Sequence, residues 1–117
     1  MALKTFPNGL RLSVLEKELD LKLLTECDYD DREVTGGYVG DLLSWVMGRA
    51  KADSAWITIM SNINIVAVAS LTDVACIILA EGVTVDDNIK ATAQAKGVNI
   101  LCSQLPAYET ALAISEI

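Results

Sequence analysis

Val74-Ala75-Cys76-Ile77-Ile78-Leu79-Ala80 is an apolar run with no charge and no polar/apolar alternation. A strand that shows only one face to the core alternates; a short unbroken run such as this belongs to a strand covered on both faces. Gly82 closes it. Downstream, Thr84 stands where a helix over residues 85–96 needs a cap, with Asp86 and Asp87 in the first turn, where negative charge suits the helix dipole. Gly97 ends that helix in the left-handed position. Residues 98–102 form a second apolar strand, and Pro106 opens a last helix that turns Ala107, Ala111, Ile114 and Ile117 inward.

Upstream, residues 62–71 admit two readings. Asn62-Ile63-Asn64-Ile65 alternates like a strand, whereas Asn64 before Ile65-Val66-Ala67-Val68-Ala69 looks like a capped helix. A strand over 55–60, carrying Trp56, Ile57 and Ile59, precedes this stretch. Strand-helix-strand alternation then requires the helix, over residues 65–71. Before it, Asp41 is placed to cap a helix reaching Ala50, with Leu42, Leu43, Val46, Met47 and Ala50 on its apolar face. Gly36, Gly37 and Gly40 read as a flexible turn, preceded by a polar loop over 26–33 and a short strand over 21–25. Ser13-Val14-Leu15-Glu16 has the form of a capping box opening a helix with Leu12, Leu15 and Leu19 on one side. Residues 1–11, with the turn signal Pro7-Asn8-Gly9, read as an irregular extension. The expected architecture is α/β, a three-layer α/β/α sandwich with a largely parallel sheet of about four to five strands in one domain, 1–117.

Composition narrows the function. Nine Lys and Arg against sixteen Asp and Glu give a net charge of −7, and a pI of 4.4. Nucleic acid and anionic membranes both need a basic surface to displace counterions, so neither is expected as a partner. Histidine is absent. That removes Ser-His and Cys-His nucleophile activation, imidazole acid–base work and His zinc sites. The three cysteines have no CxxC spacing, and Cys76 and Cys102 lie in apolar runs as small core residues of a reducing compartment. Cys27 sits in the polar loop without an adjoining basic residue. The most apolar region, 63–80, is broken by Asn64, Ser70, Thr72 and Asp73, and so falls short of a membrane span. With no signal-peptide pattern at the N-terminus, the protein is expected to be cytoplasmic. Aliphatic residues are in excess, with mean hydropathy +0.38; in so short a chain this points to a self-associating surface and a homodimer.

The segment Asp31-Arg32-Glu33-Val34-Thr35-Gly36-Gly37-Tyr38-Val39-Gly40-Asp41-Leu42-Leu43 resembles the signature of the DRTGG domain family. The name-giving Asp-Arg-Thr-Gly-Gly appears in a variant form, DREVTGG, with Glu33 and Val34 inserted. Trp56-Ile57-Thr58, Asn64-Ile65-Val66-Ala67-Val68-Ala69 and Ala75-Cys76-Ile77-Ile78 extend the likeness over residues 12–115. The resemblance implies a fold similar to the N-terminal domain of HPr kinase/phosphorylase. It further implies a regulatory, oligomer-forming module of the kind appended to CBS domains and to some synthases and transferases. It brings no catalytic residue. Kinase activity belongs to a separate domain with a phosphate-binding loop, and GxxxxGK[ST] does not occur in this chain.

Candidate ligand-binding residues follow from residue type and position. Thr35, Gly36 and Gly37 can turn backbone N–H groups and a hydroxyl towards a small anion, or can solve a tight turn or backbone crossing, which is the commoner use. Asn62 and Asn64 follow a strand and precede a helix, and Ser103, with Gln104, follows the last strand; α/β sheets bind ligands at such carboxyl-end junctions. Asn62 and Asn64 serve either as helix caps, the commoner use, or in reading a ligand's polar edge; with Ser103 and Gln104 they make a polar rim only where they meet Thr35, Gly36 and Gly37. Asp31, with Glu26, Asp28, Asp30 and Glu33, has the alternating oxygens of a cation loop but lacks the glycine and distal Glu of an EF-hand, so a solvated loop is favoured. Arg32 can pair with Asp30 or Asp31. Trp45, Trp56, Met47 and Met60 read as packing residues. The expectation is a stand-alone regulatory or binding module without catalytic residues, metal or cofactor. Its partners are a second copy, another protein or a small anionic ligand. A metal-dependent carboxylate enzyme is the third reading.

Overall fold

A computed structural model describes residues 10–25 and 32–116. Its centre is the ribbon read above: strand β6 (Cys76–Leu79) is buried along its whole length. Ile77 and Leu79 point into one core, and Cys76, Ile78 and Ala80 into the other. Strand β5 (Ser54–Thr58) is likewise fully buried, with Trp56 on the first side and Ala55 and Ile57 on the second. Strands β4 (Gly36–Val39) and β7 (Ile100–Cys102) complete the parallel part, and β2 (Lys22–Leu23) adds an antiparallel strand beyond β7. The order is β2-β7-β6-β5-β4. Strand β1 (Leu10–Arg11) and strand β3 (Glu33–Val34) form a separate antiparallel ribbon, so the irregular extension expected over 1–11 ends in a strand.

Because β4, β5, β6 and β7 are laid down in consecutive order and such crossovers are right-handed, the connecting helices must share one face. Helices α2 (Leu43–Arg49), α3 (Asn64–Thr72) and α4 (Asp87–Ala95) do so, contributing Val46, Ile65 and Ile89 to one core. Helices α1 (Leu12–Glu18) and α5 (Ala107–Ser115) cover the other face with Leu12, Leu15, Ala111 and Ile114. The result is the expected three-layer α/β/α sandwich with a five-stranded, mostly parallel sheet. The ambiguous stretch is helix: α3 runs from Asn64 and ends at Asp73 with a left-handed φ of 57°. No helix among the described residues is long and apolar enough to cross a membrane.

Four helix starts and one turn differ from expectation; α3 has Ile63, not Asn64, at its cap position. Helix α1 has Arg11 at its cap position, not Ser13; Leu12 N–H donates to the Arg32 carbonyl at 2.9 Å. Starting there is what buries both Leu12 and Leu15 completely. Helix α4 is capped by Asp86, whose carboxylate accepts from Ile89 N–H at 2.9 Å, two residues beyond Thr84. The shift leaves Val85 free to seal the core, at 7% exposure. Helix α2 has Leu42, not Asp41, at its cap position. The glycine pair is not a turn: Gly36 and Gly37 begin β4 and lie opposite Ser54 and Ala55. Glycine in a strand marks close approach of other backbone, and α5 packs against both β4 and β5. Trp45 and Met47 are exposed, at 54% and 43%, whereas Trp56 is fully buried.

Cys76 and Cys102 are buried free thiols, and burial pushes the Cys76 pKa up from 9.0 to about 12. The folded state therefore keeps a proton that the unfolded chain releases. The stabilisation is complete below pH 9 and is lost as pH rises towards 12, at about 1.4 kcal/mol per pH unit. Urea melts across this range should show that slope in the wild type, and Cys76→Ala should remove that increment. In a Cys27→Ser variant, a thiol reagent should label neither remaining cysteine until the chain unfolds.

Candidate functional site

Parallel strands give the sheet two chemically distinct ends, and the candidate residues divide between them. At the amino ends of β5 and β6, Asp53 and Asp73 take left-handed conformations, with φ of 64° and 57°; Asp tolerates this region better than most residues. Arg32 reaches both. Its guanidinium donates to Asp53 Oδ1 at 2.5 Å and Asp73 Oδ1 at 3.3 Å, and to the carbonyls of Asp73 and Val74 at 3.0 and 3.2 Å. The backbone carries the same link: Thr35 N–H donates to the Asp53 carbonyl and Asp53 N–H to the Asp73 carbonyl, each at 3.0 Å. Burial disfavours the charge on Arg32, but the hydrogen bond to Asp53 and the charges of Asp73 and Asp53 outweigh it and raise its pKa. Arg32 thus fastens the entry to three strands. Its expected alternatives Asp30 and Asp31 lie outside the described residues, as do Cys27 and most of the acidic loop.

At the carboxyl ends, Asp41 Oδ1 accepts from Thr58 Oγ1 at 2.7 Å and from Ile59 N–H at 3.0 Å, tying the exit of β4 to that of β5. Trp56 Nε1 donates to the Gly40 carbonyl at 2.9 Å, and Met60 N–H donates to Thr58 Oγ1 at 3.2 Å. Asn62 Oδ1 accepts from Asn64 N–H at 2.9 Å, so this pair shapes the start of α3, and both residues are exposed. Ser103 is 3% exposed and Thr110 1%; their hydroxyls lie 2.9 Å apart, and Ser103 Oγ also accepts from Leu105 N–H at 3.1 Å. Ser103 therefore faces inward and locks the start of α5 to β7. Among the described residues no buried side-chain polar atom lacks a partner, and no three Cys, Asp or Glu gather as a cation site.

The expected polar rim does not assemble. Thr35, Gly36 and Gly37 lie level with Ser54 at the start of β5, whereas Asn62, Asn64 and Ser103 follow the far ends of the strands. The five residues of β5 separate them by about 16 Å. The strand order also never reverses between β4 and β7, so the parallel strands contain no topological switch point, the crevice that such sheets use for ligands. Sequence reasoning missed Asp53, Asp73, Asp41, Thr58 and Thr110 as partners. The available signal was an Asp standing directly before each of two apolar strands, at Asp53-Ser54 and Asp73-Val74.

Replacing Arg32 with Met should cost about 1–3 kcal/mol in urea denaturation, because two backbone carbonyls lose a charged donor while the carboxylates, being solvent-accessible, contribute less. Arg32→Lys should recover little, since one ammonium lacks the planar fork that spans both aspartates. A loss below about 0.5 kcal/mol, the ordinary surface value, would show that the clamp is incidental.

The sequence profile of the DRTGG domain family matches residues 15–117. No curated protein matches the chain. Among solved structures it is similar to the CBS and DRTGG domains of the regulatory region of Clostridium perfringens pyrophosphatase, crystallised in complex with its activator, diadenosine tetraphosphate. The TM-score is 0.73 at 14% identity, covering 89% of this chain and 45% of that one. Such a likeness shows the fold, and this chain spans less than half of the solved one. With the profile matched from α1 to the final residue, the chain belongs to the DRTGG domain family.

Proposed function

We propose that this protein is a regulatory binding module that self-associates, relays the state of a ligand or partner, and performs no chemistry of its own. The observation that carries this reading is family membership over residues 15–117, joined to a fold shared with part of an activator-bound regulatory region. Two features support it. The chain has no histidine, and the polar side chains at both ends of the sheet bond to one another. Asp41 holds Thr58, Arg32 holds Asp53 and Asp73, and Ser103 meets Thr110. Groups engaged in this way fasten a scaffold; a catalytic acid or base needs a proton path to a substrate.

A second reading is a sensor of a small anion or nucleotide, favoured by the diadenosine tetraphosphate bound to the similar regulatory region. With Gly36 and Gly37 in β4, such a ligand would lie along the exposed side of this strand beside Thr35. Asn62 and Asn64 would belong to a different surface, and Ser103 faces inward. A thermal-shift titration with adenine nucleotides, diadenosine tetraphosphate, inorganic phosphate and divalent cations separates the readings, because selective binding raises the melting temperature with concentration. The sensor reading expects a saturable rise that Gly37→Val abolishes. A module that reads a protein partner expects no rise with any of these ligands. Turnover of any of these nucleotides by the purified chain would overturn the non-catalytic reading.

A further inference from the structure

Exposed apolar side chains gather along the β4 edge of the sheet. Strand β4 pairs with β5 on one side and with no described strand on the other. Val39, at its exit, is 40% exposed, and α2, which follows, presents Leu42 at 60% and Trp45 at 54%. On the opposite face, α5 lies over β5 and β4. Its Thr110 looks towards β7, where it meets Ser103. Tyr108 and Leu112 are each two residues from Thr110, about 200° around the helix, and therefore lie on its outer side, turned away from Ser103. They are 73% and 43% exposed. An open strand edge flanked on both faces by apolar side chains is a surface that proteins normally cover.

Charge selects the cover. Between Asp41 and Asp53 the chain has Arg49 and Lys51 and no carboxylate, whereas from residue 97 onward it has Glu109 and Glu116 and no Lys or Arg. Arg49 stacks over the Trp45 ring at 4.0 Å, so the basic charge sits beside the apolar contact. The edge thus carries a basic apolar helix on one face and an acidic apolar helix on the other. A two-fold axis perpendicular to the sheet would place α5 against α5 and α2 against α2, each with like charges. An axis parallel to β4 exchanges the faces and places α2 of one copy against α5 of the other, with opposite charges, twice per dimer. Both helices run from the carboxyl towards the amino end of the sheet, so with Trp45 level with Tyr108, Arg49 stands one turn on, level with Leu112 and between Glu109 and Glu116.

We infer that the β4 edge is the self-association surface, with α2 of each copy packed reciprocally against α5 of the other. The inference rests on the self-association proposed above and names its surface. Sedimentation equilibrium across the micromolar range tests it, with circular dichroism to confirm that each variant is folded. The wild type should sediment at twice 12.6 kDa. Trp45→Lys and Tyr108→Lys, at exposed positions, should each sediment as monomers. Arg49→Glu should weaken the dimer about tenfold, and adding Glu109→Arg and Glu116→Arg to the same chain should restore it. A wild type at 12.6 kDa throughout would overturn self-association and this surface together. A dimer unaffected by both Lys substitutions would overturn the surface alone. Dissociation by the Lys variants without rescue by the charge exchange would overturn the α2–α5 pairing.

Discussion

The ribbon at residues 74–80 is buried on both faces, and the remainder of the fold follows from covering it. Each Ile or Leu removed from water there contributes about 1.5–3 kcal/mol, so neither face can be left bare. Three right-handed crossovers in one direction supply helices to one face only. The other face must be closed by the chain's outer segments, α1 before the parallel strands and α5 after them. Consecutive winding also leaves β4 at the rim of the sheet, and α5 returns from β7 across the sheet to lie over β4 and β5. The sheet edge where β4 has no neighbour among the described strands is therefore also the place where the first crossover helix and the last helix both come to the surface.

The ends of the strands tell a complementary story. In many α/β proteins they hold the site, but here the charged and hydroxyl groups hold the strands. At one end Arg32 joins two aspartates 21 and 41 residues away; at the other Asp41 joins β4 to Thr58, and Ser103 joins β7 to α5. The arginine of the DREVTGG segment keeps two left-handed Asp turns in register, and the two glycines that follow open strand β4, with Gly37 on the side of α5. On this view the family signature describes how an edge strand is attached and covered.

Much of the architecture was legible because it rests on local pattern. The unbroken apolar run gave β6, the acidic first turn at Asp86 and Asp87 gave α4, Gly97 ended it with a φ of +69°, and alternation of elements resolved α3 as helix. What was not legible depends on partners distant in sequence. Asp41 looked like a helix cap because nothing nearby announces Thr58, and Arg32 looked free to pair locally because Asp53 and Asp73 reach it only once β5 and β6 are aligned. Gly36 and Gly37 looked like a turn because glycine disfavours an isolated strand, and only pairing with Ser54 and Ala55 of β5 makes them part of one. Trp45 looked like core by residue type, yet its position on a seven-residue helix at the rim leaves it in solvent. In the candidate site, Ser103 was placed correctly at the end of a strand, but its direction was decided by Thr110, seven residues on.

The central claim is that the working surface of this domain is the β4 edge with α2 and α5, not the carboxyl ends of the strands. Amide hydrogen exchange measured at low and at high protein concentration tests it most directly, because protection that grows with concentration marks the surface that becomes covered. The account predicts that amides of β4, α2 and α5 slow at high concentration, while those of Ile59, Asn62 and Asn64 stay unchanged. Concentration-dependent protection confined to the carboxyl-end loops, with β4 unaffected, would contradict it.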